Sequence, residues 1–582
     1  MLSELNMSTS PDGSRGTDVR TEPAADGHTV AVLAAILLLG AVLRVWGLRF
    51  GLPHDFSRPD EEKIVGAALG VLQGDLNPHM FLYPSLFIYA NAAVYWMLFA
   101  FERTIGATAS RADFVAGAAA DPTLFYITAR LLAAASGTAT IAALYAGARE
   151  LFSGRIALVA AAALAVVFLH VRDSHFGVTD VPVTLLVVLA WWSAARCFNR
   201  GLTRRRVIVT GILCGLAAST KYNAALVVLP AIGAVVSQYF KAGSLSLPKP
   251  ATALFILLTC AGLAFLLGTP YALLDRPAFL AEVDAQRQTA AGLRHGTVLD
   301  PAREVIGERG WIHHATFSLR YGMGMPLLVA GLMGATWVIW QGPLVAWLVL
   351  SFPLAFYVAM GGSQLVYPRW VVPLVPFLCL TAAVAIDRLA VLLGALLARL
   401  IRASASMTVI KIVVAGLTVL IVAPSGARAV AFDQLVSRAD TRVRAAEWIE
   451  GRFPHGASLY QTGMQYSFVE PRPRLRYPLY TFNERHNVFD HVTGSDQELP
   501  DLILVLSSPL VVFNQIPSGL DAILRSQYGL IATFKARSDA DAGPVPVYDQ
   551  QDAFYVPFAN FGSVSRPGPD VQIYERRDTH ER

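Results

Sequence analysis

The stretch Arg58-Pro59-Asp60-Glu61-Glu62-Lys63 lies in a polar span, residues 50–80, between two apolar runs of membrane length. This position places a pair of carboxylates where a lipid bilayer would meet water. An enzyme that acts on a lipid-borne substrate needs a base at this level, and Asp60 and Glu61 are our first catalytic candidates. Solvated loop charges are the alternative, because Arg58 and Lys63 supply counter-ions within the same stretch.

The composition predicts a membrane protein. Hydrophobic residues make up 54% of the 582 and charged residues only 15%, whereas soluble domains carry roughly 25% charged residues. The apolar surplus is concentrated in runs of about 17–25 residues, the length that a membrane-spanning helix needs. We therefore expect a mostly α-helical, polytopic membrane fold with about 11–13 transmembrane helices and a small C-terminal α/β domain. The net charge of +5 is too small and too scattered to indicate nucleic-acid binding.

Changes in composition predict three parts of the chain. Residues 1–28 are polar and are expected to form a disordered cytoplasmic tail. Residues 29–424 form the transmembrane domain, in which 50–82 and 271–320 are predicted extracytoplasmic loops. Residues 425–582 regain charge and carry short alternating strands, which indicates a water-facing, extracytoplasmic α/β domain.

Basic residues predict the orientation of the chain in the membrane, but the number of apolar stretches between Asp60 and Asp180 conflicts with it. Arg204-Arg205-Arg206 lies in a short connection and should be cytoplasmic, which places the loop before Asp180 on the outside. Three apolar stretches separate Asp60 from Asp180, so both residues can face outside only if one stretch does not span. We expect a segment within 83–125 to be re-entrant or interfacial, although a misdivided helix would also remove the conflict.

Further polar residues lie at the ends of apolar segments. Asp180 closes the sequence His175-Phe-Gly-Val-Thr-Asp180 and is either a third catalytic carboxylate or a plain helix cap. Lys221 and Arg369 are cations beside apolar runs, where a charge is costly and indicates function, with snorkelling of Lys221 as the alternative. A fixed cation would stabilise the charge that develops on a leaving phosphate. Arg58, His175 and Tyr83 complete the predicted substrate-binding set.

Several motifs in order resemble the membrane glycosyltransferase superfamily of GT-C fold that includes protein O-mannosyltransferases and the lipid A aminoarabinose transferase. They are Pro59-Asp60-Glu61, Phe81-Leu-Tyr-Pro84-Ser-Leu-Phe-Ile-Tyr89, His175 to Asp180, Gly215 to Lys221, and Tyr367-Pro-Arg369-Trp-Val-Val-Pro373. A C-terminal stretch from Asp440 to Ala457 resembles the outer domain of bacterial members. A Glu-Lys pair that the aminoarabinose enzyme carries before its second helix is absent, and Phe81-Leu82-Tyr83 stands there.

The resemblance implies an inverting glycosyltransferase that moves a sugar from a polyprenyl phosphate to an acceptor hydroxyl on a protein, lipid or glycan. It implies Asp60 as the base, Asp180 as a second active-site carboxylate, and Lys221 and Arg369 as contacts to the donor phosphate. The expected location is the inner (plasma) membrane of bacterial type, among membrane lipids. No metal ligand spacing is present, so we assign no metal and no other cofactor, while the resemblance includes members that use a divalent metal and members that do not.

Two other classes of function fit the composition. A transporter or lipid flippase would also have many helices with a few embedded charges, but such proteins keep their essential charges near the middle of the membrane. A membrane scaffold without activity would present the C-terminal domain. The acidic loop outside the helices favours the enzyme.

Overall fold

The computed structural model describes residues 26–242, 250–291, 310–400, 407–491, 498–537 and 544–577. Most of the predicted tail, residues 1–28, lies outside these ranges. So does the middle of the predicted loop 271–320.

Seven described helices are long and apolar enough to cross a membrane, which makes the chain a multi-pass integral membrane protein. A bent pair, with 114° between its halves, would be an eighth span. The seven are Gly27–Val45, Thr123–Leu151, Asp180–Arg200, Pro250–Gly268, Pro343–Gly361, Pro368–Ala398 and Met407–Arg452, and the bent pair is Gly310–Met323 with Met325–Gln341.

The remaining segments that the sequence analysis counted as spans are helical but shorter or less apolar. The count of about 11–13 spans therefore stays a prediction for these segments. They are Leu86–Thr104, Gly154–Val166 followed by Phe168–Asp173, Arg204–Ala218, and the 3₁₀ helix Tyr222–Val227 continued by Val228–Ala242.

The short helix Glu61–Gln73 begins directly after Asp60 and packs on the helix Leu86–Thr104. Its apolar face, with Ile64, Val65, Ala68 and Leu72 buried, belongs to a separate core that includes the helix Arg111–Ala120 and the start of Thr123–Leu151. A spacing of three to four residues places those side chains on one side of the helix, which is why a single face is buried.

The helix Leu86–Thr104 is held on the side of the molecule that carries Asp60. The backbone N–H of Leu86 donates to the Ser219 carbonyl, next to Lys221. Farther along, Phe99 packs on Phe114, which packs on Phe125 at the beginning of the next long helix. Both parts of this helix therefore contact residues near the ends of other helices, and the expected non-spanning segment within 83–125 stays a prediction.

The C-terminal part contains a six-stranded mixed sheet in the order β3-β2-β1-β4-β6-β5. Strand β1 is parallel to β2 and β4, and the other neighbours are antiparallel. The strands are β1 Leu459–Gln461, β2 Leu479–Asn483, β3 Val488–His491, β4 Leu502–Ser507, β5 Tyr528–Phe534 and β6 Asp570–Arg576.

Alternate side chains of β4 belong to two hydrophobic clusters, one on each face of the sheet. Leu502, Leu504 and Leu506 face the cluster with the helix Thr441–Arg452, whereas Ile503 and Val505 face the cluster with the helix Leu520–Gln527. Successive side chains of a strand point to opposite faces, so each face of the sheet buries one set.

Two predicted boundaries differ from the structure. The last long helix, Met407–Val436, continues past the boundary expected at residue 424, with Pro424 inside it. Neighbouring helices tolerate such a proline within a membrane bundle, and the hydroxyl of Ser425 accepts a hydrogen bond from the Phe168 N–H of a neighbouring helix. The described part of the predicted loop 271–320 is largely helical and includes the helix Arg276–Ala290.

Candidate active site

Asp60 is held in a left-handed conformation, with φ at 73°, immediately before the helix Glu61–Gln73. An aspartate reaches this conformation more easily than most residues, and it turns the chain sharply after Pro59. One carboxylate oxygen, Oδ2, accepts hydrogen bonds from Arg369 Nη2 at 2.6 Å and from the Tyr83 hydroxyl at 3.0 Å. The other, Oδ1, accepts from Lys63 Nζ at 2.8 Å. Asp60 thus has three donors around it and is only 6% exposed.

The charges around Asp60 keep it ionised. Burial alone would raise its pKa, but Arg369 and Lys63 outweigh burial and hold the pKa well below the usual range of an aspartate. Asp60 is therefore an anion at neutral pH, which is the form that a base requires.

Glu61, the second predicted catalytic residue, is fully engaged elsewhere. Arg130 donates to both of its carboxylate oxygens, at 2.9 and 2.6 Å, and the backbone N–H of Gly177 donates to Oε1 at 2.7 Å. Arg130 also donates to the carbonyls of Leu48 and Phe50. This arrangement ties the Asp60 loop to two helices, and it favours a structural role for Glu61.

Glu62 is the acidic residue beside Asp60 that sequence reasoning did not select. Its Oε1 accepts a hydrogen bond from the Tyr466 hydroxyl at 3.0 Å, so the C-terminal sheet domain reaches the site here. Its Oε2 is buried, and no described residue donates to it. Burial and the charge of Asp60 raise the pKa of Glu62 to about 7.

Asp180 and Lys221 form a second, buried ion pair. Lys221 Nζ donates to Asp180 Oδ1 at 2.5 Å, while no described group donates to Oδ2 of Asp180. Asp180 begins the helix Asp180–Arg200, and Lys221 precedes the 3₁₀ helix Tyr222–Val227. Lys221 is thus engaged with a carboxylate in this structure, and its contact to a donor phosphate stays a prediction.

Two side-chain nitrogens of Arg369 have no hydrogen-bond acceptor among the described residues. It lies at the start of the 3₁₀ helix Pro368–Leu374, is 5% exposed, and stacks on the Tyr367 ring at 4.8 Å. Its Nη2 donates to Asp60, but no acceptor among the described residues is within reach of its Nε or Nη1. A buried guanidinium with two nitrogens that lack an acceptor fits an anionic ligand, such as a phosphate.

Arg58, also predicted to bind substrate, is fully buried beside the C-terminal part of the chain. Its Nη1 donates to Asp552 Oδ1 at 2.7 Å, and its guanidinium lies over the rings of Phe176 and Phe554. Its Nε and Nη2 find no acceptor among the described residues. The charge of Arg58 also helps to lower the pKa of Asp60, so Arg58 belongs to the same site.

His175 lies apart from the Asp60 cluster. Its ring nitrogens are each 2.9 Å from a backbone carbonyl oxygen, of Val171 and of Trp46, and Nε2 is 3.5 Å from Asp433. These contacts join the ends of three helices. The structure therefore brings together Asp60, Tyr83, Arg58 and Arg369, but it does not bring His175 to the Asp60 carboxylate.

The C-terminal part supplies site residues that the sequence analysis did not name. They are Tyr466, Asp549, Gln551 and Asp552, and the last three are each less than 5% exposed. Asp549 has one oxygen without a described donor, and its pKa is raised to about 7 by burial and by the neighbouring charge of Asp552. A signal was present: the aromatic run Phe554-Tyr555-Val556-Pro557-Phe558 is unusually apolar for a water-facing domain.

Among the described residues, no group of three or more His, Cys, Asp or Glu side chains is placed to hold a metal ion. Asp60, Glu61 and Asp552 instead each face a basic side chain, and Glu62 faces the Tyr466 hydroxyl. The assignment of no metal stays a prediction.

Comparison with known proteins gives one family match, over part of the chain, and several similar structures. Residues 126–265 match the family model described as dolichyl-phosphate-mannose-protein mannosyltransferase. No curated protein sequence matches the chain.

Three solved structures illustrate the structural similarity. The apo oligosaccharyltransferase of Archaeoglobus fulgidus has a TM-score of 0.48 and 13% identity, covering 94% of this chain and 88% of that one. Apo ArnT from Cupriavidus metallidurans has a TM-score of 0.47 and 15% identity, covering 94% and 98%. The S. cerevisiae protein O-mannosyltransferase Pmt1-Pmt2 complex, bound to the sugar donor, has a TM-score of 0.32 and 22% identity, covering 46% and 35%.

In two further oligosaccharyltransferase structures from Archaeoglobus fulgidus, the match spans less than two thirds of the other chain, 62% and 63%. The family match carries more residue detail, because it includes both Asp180 and Lys221. The resemblance that the motifs predicted is thus confirmed: over residues 126–265, this chain is similar to the dolichyl-phosphate-mannose-protein mannosyltransferases.

Proposed function

We propose that this protein is an inverting glycosyltransferase that moves a sugar from a polyprenyl-phosphate donor to an acceptor hydroxyl at the extracytoplasmic face of the membrane. The observation that carries the proposal is the pair of Asp60 and Arg369, 2.6 Å apart, in which the cation keeps two nitrogens without a described acceptor. A base and an anion-binding group thus share one buried place, as a reaction with a phosphate leaving group needs.

In the proposed reaction, Asp60 removes the proton from the acceptor hydroxyl. The acceptor oxygen attacks the anomeric carbon from the side opposite the phosphate, and the carbon–oxygen bond to the phosphate breaks. The polyprenyl phosphate leaves with the electron pair, and the configuration at the anomeric carbon is inverted. Arg369 stabilises the phosphate through N–H groups that Asp60 leaves free.

Arg369 also gives a reason why a strongly acidic Asp60 can act as a base. In the free protein, Arg369 and Lys63 keep the pKa of Asp60 low, so its affinity for a proton is weak. When a phosphate engages Arg369, the positive charge is shared between two anions. The carboxylate then gains proton affinity at the moment when the acceptor must be deprotonated.

The family match and the location of the charges support this class of function over a transporter. The mannosyltransferase model covers the segment with Asp180 and Lys221. The charged residues of the site lie in loops and at helix ends, where the C-terminal domain contacts them through Tyr466 and Asp552. Essential charges of transporters are instead typical of broken helices near the midplane.

A transfer assay with matched variants tests the proposal. Purified protein is offered a panel of polyprenyl-phosphate sugars with peptide, lipid and glycan acceptors. We expect Asp60→Asn to lower turnover by about 10²–10⁴-fold while the protein remains folded, because a general base contributes about that much.

Glu61→Gln is the control for the neighbouring carboxylate. We expect it to lower stability, by about 3–5 kcal/mol, because it leaves buried Arg130 without its anion. Full turnover by Asp60→Asn, or failure of the wild type to transfer any sugar in the panel, would contradict the proposal.

A further inference from the structure

Residues 551–559 follow the sheet strands β1 to β5 in the chain, yet all nine are buried. The Phe554 ring packs on Phe50 and Phe176, which belong to the loops around the site. The Phe558 ring packs on Phe168 and Phe317 from the membrane helices. We call residues 549–559 the inserted segment, because the C-terminal part places it among the ends of the membrane helices.

Two adjacent side chains of the inserted segment each hold one of the loops that meet in the site. Asp552 accepts a hydrogen bond from Arg58, two residues before Asp60. Gln551 accepts one from the backbone N–H of Val366 at 2.7 Å, three residues before Arg369. The ion pair between Asp60 and Arg369 spans 309 positions of sequence, so it depends on how these two loops are held.

The loop 362–367 has no helix or strand of its own before Arg369. Val366 is buried, and its backbone N–H donates to the side chain of Gln551. An unsatisfied buried N–H costs about 1–3 kcal/mol, so this hydrogen bond selects one position of the loop over others. Since Gln551 is uncharged, it can fix the loop without adding to the field at Asp60.

We propose that Gln551 is a positioning residue, which fixes loop 362–367 and thereby holds Arg369 within hydrogen-bonding distance of Asp60. Its importance for catalysis rests on the function proposed above, whereas its control of the Asp60–Arg369 distance does not. The C-terminal domain would then complete the site, because one of its side chains determines the ionisation of a base carried by the membrane domain.

Infrared titration of the purified full-length protein tests this role without turnover. The Asp60 carboxylic-acid band is identified as the one missing in Asp60→Asn. Asp60 is contacted by Arg369, Lys63 and Tyr83, and the charges of Arg58 and Glu62 lie nearby. Gln551→Met keeps the size of the side chain but removes the acceptor, and none of these charges changes.

We expect Asp60 to take up its proton at a higher pH in Gln551→Met than in the wild type. Loss of a close cation raises the pKa of an aspartate by about 1–3. Gln551→Asn shortens the side chain by one methylene and should shift the Asp60 titration in the same direction. This variant replaces Gln551→Met if the latter does not fold. Gln238→Met is the matched control, because Gln238 is buried and bonds to a backbone carbonyl away from the site.

An unchanged Asp60 titration in folded Gln551→Met or Gln551→Asn would overturn the proposal, as would an equal shift in Gln238→Met. Where transfer is measured too, kcat/KM should fall at least 10-fold in Gln551→Met. A wild-type protein that transfers no sugar would contradict the proposed function, yet the infrared result would still decide the role of Gln551.

Discussion

Three consecutive acidic residues, Asp60, Glu61 and Glu62, have three different environments. Asp60 faces basic groups on both oxygens, Glu61 is bound by Arg130 and a backbone N–H, and Glu62 keeps one buried oxygen without a described donor. Their spacing in sequence does not distinguish them. The difference arises from partners in distant segments, which a single sequence does not place.

Glu62 predicts a dependence of stability on pH. Its pKa in the folded protein is raised to about 7, above the ordinary value of 4.5. The protonated form is therefore favoured by folding, and this stabilisation is complete below about pH 4.5 and is lost as the pH rises through 7. Glu62→Gln imitates the protonated form. We expect it to match the wild type at pH 5 and to exceed its free energy of unfolding by about 1–3 kcal/mol at pH 8.

Thermal unfolding at several pH values measures this difference. Glu484→Gln is the control, because Glu484 is exposed on the C-terminal domain. A Glu62→Gln profile that runs parallel to the wild type from pH 5 to pH 8 would show that Glu62 does not titrate in this range.

Residue types alone predicted part of the site. Asp60 was selected as a carboxylate at the expected membrane surface, Asp180 as a carboxylate at a helix start, and Lys221 and Arg369 as costly charges beside apolar runs. The structure places the four in two ion pairs on one side of the helices. The pairing itself could not be predicted, because it depends on contacts between segments hundreds of residues apart. Gln551 was missed because a single uncharged amide in the C-terminal domain gives no sequence pattern that indicates a function.

At the scale of elements, periodicity predicted helices and strands where burial is one-sided. The short alternating strands that were expected after residue 424 are present as β1, β4, β5 and β6. The hairpin of β2 and β3 was missed because it is mixed in polarity and largely exposed along β2. Elements without a buried face give little signal in sequence.

Close packing of the membrane helices depends on small residues at particular positions. The helix Met325–Gln341 packs on the helix Val375–Leu400, and a Cβ at Gly334 would overlap the Thr381 carbonyl oxygen. We expect Gly334→Ala to destabilise the protein by about 1–3 kcal/mol, because the two backbones would have to separate. Thermal unfolding in detergent measures the change.

Gly416→Ala is the control for helix propensity. Nothing lies within 4 Å of a Cβ at Gly416, which is in the helix Met407–Val436. Alanine should therefore be neutral there or stabilise by up to about 1 kcal/mol. Equal effects at both glycines would argue against tight packing at Gly334.

At the scale of the whole molecule, the loops with Asp60, Asp180 and Arg369 meet the C-terminal domain on one side. Arg472 of that domain also donates to the carbonyls of Ala119 and Ala120, directly before the helix Thr123–Leu151. The parity conflict in the sequence disappears if Leu86–Thr104 does not span the membrane, and this position of the helix stays a prediction.

This arrangement predicts which positions share a compartment. In a variant whose native cysteines are replaced, single cysteines at positions 107 and 485 should react with a membrane-impermeant maleimide added to intact cells. A cysteine at position 205, in the basic connection, should react only after permeabilisation, because basic loops stay in the cytoplasm. Reaction of position 107 with the reagent only after permeabilisation would contradict the assignment of Leu86–Thr104 to the outer face.

The inserted segment has a consequence for biogenesis. Residues 549–559 leave the ribosome after every membrane helix, and they provide the carboxylate and aromatic partners of Arg58 and Arg172. On the proposed extracytoplasmic location of this domain, a nascent chain that has already inserted its helices lacks these partners until the domain has crossed the bilayer and docked. Maturation of the protein should accordingly depend on export of that domain. Chains that have not yet exported it would be inactive.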